Sequence, residues 1–255
     1  MLEATSNKGA AMVIGGSGGL GKAVCELLAQ EWDSLFFTYN NNFDAAKALQ
    51  EKLSSQCSVS FGQMDLRSKE SIDACFLEAD KTVGEIGTVI FASGAHIDQP
   101  YVSAIEQSAW DEVLDIELSG FTRIVKATLP RFHKQGHGNI VSVVSVANYF
   151  FPPGDALSAV PKAAIEVLCR AIAKEEGRYG IRANSVAPGI INAGLGTEFQ
   201  ETLFTPEIWQ QQKNRVPLKR FGEGKEVAEA VTFLASTRAS YITGQTIIVD
   251  GGLQL

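Results

Sequence analysis

Ser145 and Lys162 bracket the stretch with the clearest chemical content. Ser145 sits at the C-terminal end of a β-branched run over 139–146, and Lys162 lies at or near the start of a helical pattern over 163–172. Ligands of open α/β sheets bind at the carboxyl ends of strands, so a hydroxyl and an ammonium there can hold a substrate oxygen and fix charge. A second candidate is the glycine run Gly15-Gly16-Ser17-Gly18-Gly19-Leu20-Gly21. Between a strand and a helix, such glycines let the backbone turn tightly and approach a pyrophosphate, which then rests on the helix N-terminus. Tyr149 offers a phenol four residues after Ser145, and His96 an imidazole that titrates near neutral pH.

The elements that must position these groups alternate along the chain. Apolar strand patterns cover 10–14, 35–39, 59–64, 88–92, 139–146, 182–187 and 245–249. Helical patterns follow Gly21 and cover 44–53, 68–83, 110–132 (as one long helix), 163–172 and 225–236. Such alternation demands a parallel sheet with both faces covered. No linker or repeat interrupts it, so residues 1–255 read as a single α/β domain. The segment 192–217 has no strong period and contains Gly194, Gly196 and Pro206, which marks it as a lid.

With 255 residues, 45% of them hydrophobic, the chain can bury a large core without staples. A net charge of −7 argues against nucleic acid or an anionic membrane surface as partner. The four cysteines, Cys25, Cys57, Cys75 and Cys169, form no CxxC pair and have no histidine at metal-ligand spacing. They read as small apolar filler, and no metal is expected. Residues 1–8 lack the apolar core of a signal peptide, and no run reaches the roughly 18 apolar residues of a membrane span. A cytoplasmic location is expected.

The spacing Gly15-x-x-x-Gly19-x-Gly21 resembles the glycine pattern of short-chain dehydrogenases/reductases rather than GxGxxG. Asp65-Leu66 looks like that family's adenine-contacting pair, and Phe91-Ala92-Ser93-Gly94 stands where the family has Asn-Asn-Ala-Gly. The segment 182–189 resembles its nicotinamide-side segment, and Tyr241-Ile242-Thr243-Gly244 with Val249-Asp250-Gly251-Gly252 its C-terminal signature. The resemblance spans essentially the whole chain. It implies a Rossmann-type doubly wound parallel sheet of about seven strands, flanked by helices. It also implies a dinucleotide held by Gly15, Ser17, Gly18, Gly19, Leu20, Gly21, Tyr39, Asn40, Asn41, Asp65, Leu66, Ala92, Ser93, Gly94, Lys162, Pro188, Gly189 and Ile191.

The family's site is Asn, Ser, Tyr and Lys, with Tyr and Lys four apart on one helix face so that the ammonium lowers the phenol pKa. Ser145 and Lys162 match. Ser158 stands in the tyrosine position and Glu117 in the asparagine position. A serine hydroxyl is several pKa units weaker as an acid, each unit being worth ~1.4 kcal/mol, so direct replacement slows ketone reduction severely. Lys162 can still hold ribose hydroxyls. Glu117 can pair with it or act as a base, and Tyr149 or His96 can stand in for the phenol. Tyr149-Phe150-Phe151, with Phe204 and Trp209, suggests an apolar substrate pocket.

The second strand ends in Thr38-Tyr39-Asn40-Asn41-Asn42 without a carboxylate, which favours NADP over NAD. Gly18 offers no cation to a 2′-phosphate; Ile14 and Ala193 stand where the family often has threonine. Three readings follow. The first is an NAD(P)-dependent oxidoreductase acting on an apolar carbonyl or alcohol. The second is a non-redox isomerase, dehydratase or cyclase using Glu117, Lys162 or His96. The third is a catalytically inactive dinucleotide-binding subunit. The resemblance also implies a homotetramer or homodimer joined through the helices of 110–132 and 162–176 and the C-terminal segment.

Overall fold

The computed structural model describes residues 9–203 and 205–255. Seven parallel strands form the sheet. In chain order, β1 (Ala10–Ile14), β2 (Ser34–Tyr39), β3 (Ser58–Gln63), β4 (Ile86–Phe91), β5 (Gly138–Val143) and β6 (Ile181–Pro188) are followed by the short β7 (Ile191–Asn192) and β8 (Gly222–Glu223), then β9 (Thr246–Val249). The sheet order is β3-β2-β1-β4-β5-β6-β9, while β7 and β8 pair separately. The order therefore reverses between β1 and β4, and the crevice outside their carboxyl ends is where such sheets bind ligands.

The helices are α1 (Gly19–Glu31), α2 (Phe43–Leu53), α3 (Lys69–Thr82), α4 (Gln107–Leu114), α5 (Gly120–Gln135), α6 (Ala156–Glu176), α7 (Leu195–Thr202), α8 (Pro206–Arg215) and α9 (Gly224–Ala235). Side chains alternate across each strand, so both faces of the sheet are apolar. Ala11, Val13, Leu35 and Phe37 pack with Val24 and Leu28 of α1 and Val227 and Val231 of α9. Met12, Ile14 and Phe36 pack on the other face with Phe76 of α3, Phe121 and Phe132 of α5 and Ile165 of α6. Each fully buried side chain of this size contributes roughly 1.5–3 kcal/mol. Cys25, Cys75 and Cys169 are buried in these layers, and burial pushes the Cys75 thiol up to about 12.

Three expectations are corrected. The pattern over 110–132 is not one regular helix. α4 and α5 are joined through a π turn, Asp115–Ser119, in which the Gly120 N–H bonds back to the Asp115 carbonyl. Lys162 is not at a helix start but in the second turn of α6, which begins at Ala156. The segment 192–217 is largely helical, containing α7 and α8. Residues 1–8 and Phe204 lie outside the described residues.

Candidate active site

The glycine turn is anchored from beneath by the neighbouring strand. Gly15 N–H donates to the buried Thr38 Oγ1 at 3.0 Å, and Ser17 N–H to the Thr38 carbonyl at 3.4 Å. Gly15, at φ +80°, lies so close to Ser93 that a Cβ would come within 2.8 Å of Ser93 Cα. The turn after β1 and the turn after β4 thus share the crevice, and α1 starts at Gly19 with its free N–H groups at the rim. Gly194, entering α7, crosses this helix start: a Cβ on Gly19 would meet its nitrogen at 2.2 Å. Beside the turn a cleft of about 360 Å³ is lined by Asn40, Asn41, Asp65, Leu66, Ser93 and Gly94 among others. A backbone cradle that excludes Cβ atoms, a helix N-terminus and an adjoining cleft fit a dinucleotide's pyrophosphate and adenosine.

Two residues of this region were not read as site residues from the sequence: Thr38, buried beneath the glycine turn, and Arg67, in the cleft. Arg67 Nε and Nη2 grip the Asp65 carboxylate at 3.0 Å each. The Arg67 hydrogen bonds hold the Asp65 carboxyl below the usual carboxylate range. Tyr39 packs edge-on against Phe43 and Phe61. Ala92 continues β4 by donating its N–H to the Ile14 carbonyl. Pro188 and Gly189 end β6, and the Ile191 side chain is in the core.

Glu117 and Lys162 meet at the other side of Ser93-Gly94. The π turn directs Glu117 inward, where it is 3% exposed. Its Oε1 accepts from the Ala95 N–H at 3.0 Å. Its Oε2 lies 2.8 Å from the Lys162 ammonium, off the hydrogen-bonding direction, so charge attraction holds this side. Lys162, itself 8% exposed, donates to the Ser93 carbonyl at 3.2 Å. A Cβ on Gly94 would stand 3.5 Å from Glu117 Oε1 and 3.9 Å from Lys162 Nζ, so this turn packs directly on the ion pair.

The remaining candidates are placed apart from that pair. Ser145 Oγ accepts from the Ala147 N–H at 3.1 Å and caps the short turn Val146–Asn148. Ser158 lies in the first turn of α6, and its hydroxyl makes no hydrogen bond among the described residues. Tyr149 donates to Glu166 Oε1 at 2.5 Å, one turn beyond Lys162 along α6. Burial first, and the bond to Glu166 second, raise the Tyr149 phenol pKa, which makes it a poorer acid than a free phenol. His96 is exposed at the cleft rim, with Nδ1 3.6 Å from Glu198 Oε1 of α7. Phe150 and Trp209 do not line an open pocket but pack with Val146, Val216, Phe221 and Leu253. No cluster of three or more His, Cys, Asp or Glu able to hold a metal occurs among the described residues.

A sheet whose order reverses beside a glycine turn, with a lysine from the sixth helix at the same edge, defines a dinucleotide-binding α/β protein. The family model described as enoyl-(acyl carrier protein) reductase matches residues 15–254. The chain is 30% identical over 246 residues to the 3-oxoacyl-[acyl-carrier-protein] reductase FabG of Staphylococcus epidermidis, covering 96% of this chain and 98% of that one. It is 32% identical over 244 residues to the FabG of Aquifex aeolicus, covering 95% and 96%. A solved short-chain type dehydrogenase/reductase from Mycobacterium ulcerans superposes with a TM-score of 0.90 at 24% identity, over 98% of this chain and 90% of that one. The protein belongs to the short-chain dehydrogenase/reductase family, whose members use nicotinamide dinucleotides.

Proposed function

We propose that the protein is an NAD(P)-dependent oxidoreductase interconverting an apolar carbonyl compound and its alcohol, with a carboxylate, Glu117, paired to the family's lysine where the family has a neutral asparagine. The observation that carries this is the buried Glu117–Lys162 pair, at 2.8 Å, beside the glycine turn. When bound, the reduced nicotinamide supplies the hydride. The glycine turn and the α1 N-terminus hold the pyrophosphate, and Asn40, Asn41 and Asp65 face the adenosine. Lys162 holds the ribose hydroxyls, and Glu117 offsets its charge and fixes its position. Ser145 orients the substrate oxygen by a hydrogen bond.

NADP is the preferred cofactor in this reading, because Asn40 and Asn41 bring no carboxylate against a 2′-phosphate. The apolar substrate is suggested by the exposed aromatic and aliphatic side chains of Tyr101, Val102 and Phe151, in the segments that follow β4 and β5. The names of the curated relatives make a 3-oxoacyl thioester the first compound to test. We place the enzyme in the cytoplasm as one domain, with 192–217 as its lid and a homotetramer or homodimer as its working form; no described helix is long and apolar enough to cross a membrane.

The test is a fluorescence titration with NADPH and NADH, followed by a panel of 3-oxoacyl thioesters, ketones and alcohols monitored by reduced-nicotinamide absorbance. Tighter binding of NADPH and turnover of at least one apolar carbonyl are expected. Binding without turnover of any compound supports a dinucleotide-binding subunit instead.

A further inference from the structure

Asp155 carries a buried carboxyl that the pair above does not use. It precedes α6 in the N-cap position, where an aspartate ordinarily accepts a hydrogen bond from the free N–H groups of the helix. Here only its backbone carbonyl does so, from Ser158 N at 3.2 Å and Ala159 N at 2.8 Å. The side chain makes no cap bond. It turns away from the helix and is 8% exposed. Its Oδ1 accepts from Gln99 Nε2 at 2.9 Å, across 56 residues of chain. The turn before it brings Gln99 there. Asp155 N–H bonds to the Pro152 carbonyl, and Gly154 takes φ +88°. A Cβ on Gly154 would lie 2.8 Å from the Gln99 carbonyl oxygen. Asp155 stands one helical turn before Ser158, at the start of the helix that carries Lys162, and the Glu117 charge adds to the effect of burial on its carboxyl.

We infer that Asp155 is the proton donor of this site, taking the role left open by the serine at position 158. This rests on the oxidoreductase reading above. In reduction the carbonyl carbon receives the hydride and forms a C–H bond, and the π electrons move to oxygen. That oxygen takes the proton of the Asp155 carboxyl, whose O–H bond breaks, leaving a carboxylate held by the Gln99 amide. In oxidation the carboxylate accepts the proton of the alcohol. Burial drives the carboxyl up to about 6; the Gln99 bond opposes this and the Glu117 charge adds to it. A general acid works best with a pKa near the operating pH. The serine hydroxyl at 158 is far from that range, and the Tyr149 phenol is moved further from it.

The test uses the full chain and the variants Asp155→Asn, Asp155→Glu and Gln99→Ala. With the carbonyl that the wild type reduces, D155N lowers kcat by about 100-fold or more while the NADPH Kd stays unchanged, and D155E recovers part of the loss. Wild-type kcat for reduction falls as pH rises through about 6, and D155N lacks that limb. Q99A moves the limb to higher pH, because the bond it removes lowers the Asp155 pKa. In the apoprotein, infrared difference spectra taken across the same pH range show a protonated-carboxyl band that D155N abolishes. Wild-type kcat and pH profile in D155N overturn the role of Asp155 and leave the oxidoreductase reading standing. Should D155N fail to fold, an unshifted limb in Q99A overturns it instead. No turnover of any carbonyl or alcohol by the wild type overturns both.

Discussion

Glu117, Lys162 and Asp155 are all withdrawn from water, and they differ in what compensates them. Glu117 and Lys162 compensate each other. Truncating one member of a buried pair leaves the other charge unpaired, which costs about 3–5 kcal/mol. Glu117→Gln and Lys162→Met are each expected to destabilise the protein on that scale, and the double variant by much less than the sum. Urea unfolding of the four proteins checks this. Among the described residues the Asp155 side chain has a neutral partner, Gln99, and burial makes its ionisation work against folding. Its folded pKa of about 6 lies above the ordinary 3.8. The folded state therefore holds this proton more tightly than the unfolded chain between those two values. Stability from this group is fully present below 3.8 and is lost as pH rises through about 6. The difference of about two units corresponds to at most roughly 3 kcal/mol. D155N keeps an acceptor for Gln99 and cannot ionise. It is expected to exceed the wild type in stability by up to that amount above pH 7, with the gap closing towards pH 4 in unfolding curves at stepped pH. A buried acid that lowers stability at working pH is what a site kept for chemistry looks like.

The elements that carry these residues are regular except where they carry them. The Asp115–Ser119 π turn interrupts the helix at Glu117, and single π turns within helices often coincide with functional sites. The loop before α6 depends on one glycine. Gly154→Ala places a side chain at φ +88° and against the Gln99 carbonyl, so it is expected to cost about 1–3 kcal/mol and to release Gln99 from Asp155. Thermal unfolding reads the first effect, and the pH limb of kcat, displaced upwards as in Q99A, reads the second. Most element types were legible in the sequence, because strands such as 10–14 are buried on both faces and show as unbroken apolar runs. The π turn was not, since its i→i+5 bonding leaves the apolar pattern nearly intact. α7 and α8 were missed because they are short and pack little against the sheet. Ser145, Lys162 and the glycine turn could be read from local context. Asp155 was not legible, because the helical pattern shows only from 163 and the burial of its carboxyl depends on Gln99, 56 positions away.

At the scale of the molecule, the sheet and its helices account for the two apolar layers but not for the outward side of α6. Along that helix Lys162, Ile165, Glu166 and Cys169 face inward, while Val160, Ala163 and Val167 share the opposite stripe. Val160 is 47% and Val167 55% exposed. Single exposed valines need no explanation. Two of them a heptad apart, with Ala163 between, form a flat apolar strip on the helix that carries the site lysine. In the homodimer or homotetramer proposed above, a second copy would cover such a strip by packing the same stripe against itself about a two-fold axis, the usual symmetry of soluble oligomers. The small side chain at 163 lets two helices approach closely there. Val167→Asp is expected to halve the mass of the proposed oligomer, dimer to monomer or tetramer to dimer, because it would bury an unpaired carboxylate at the centre of that contact. Light scattering coupled to size exclusion reads the mass, and circular dichroism confirms the fold. An unchanged mass in V167D places the interface elsewhere. Because Lys162 lies on the inward face of the same helix, the dissociated form is also expected to lose turnover while keeping much of its dinucleotide affinity, as the glycine turn stands across the sheet from α6.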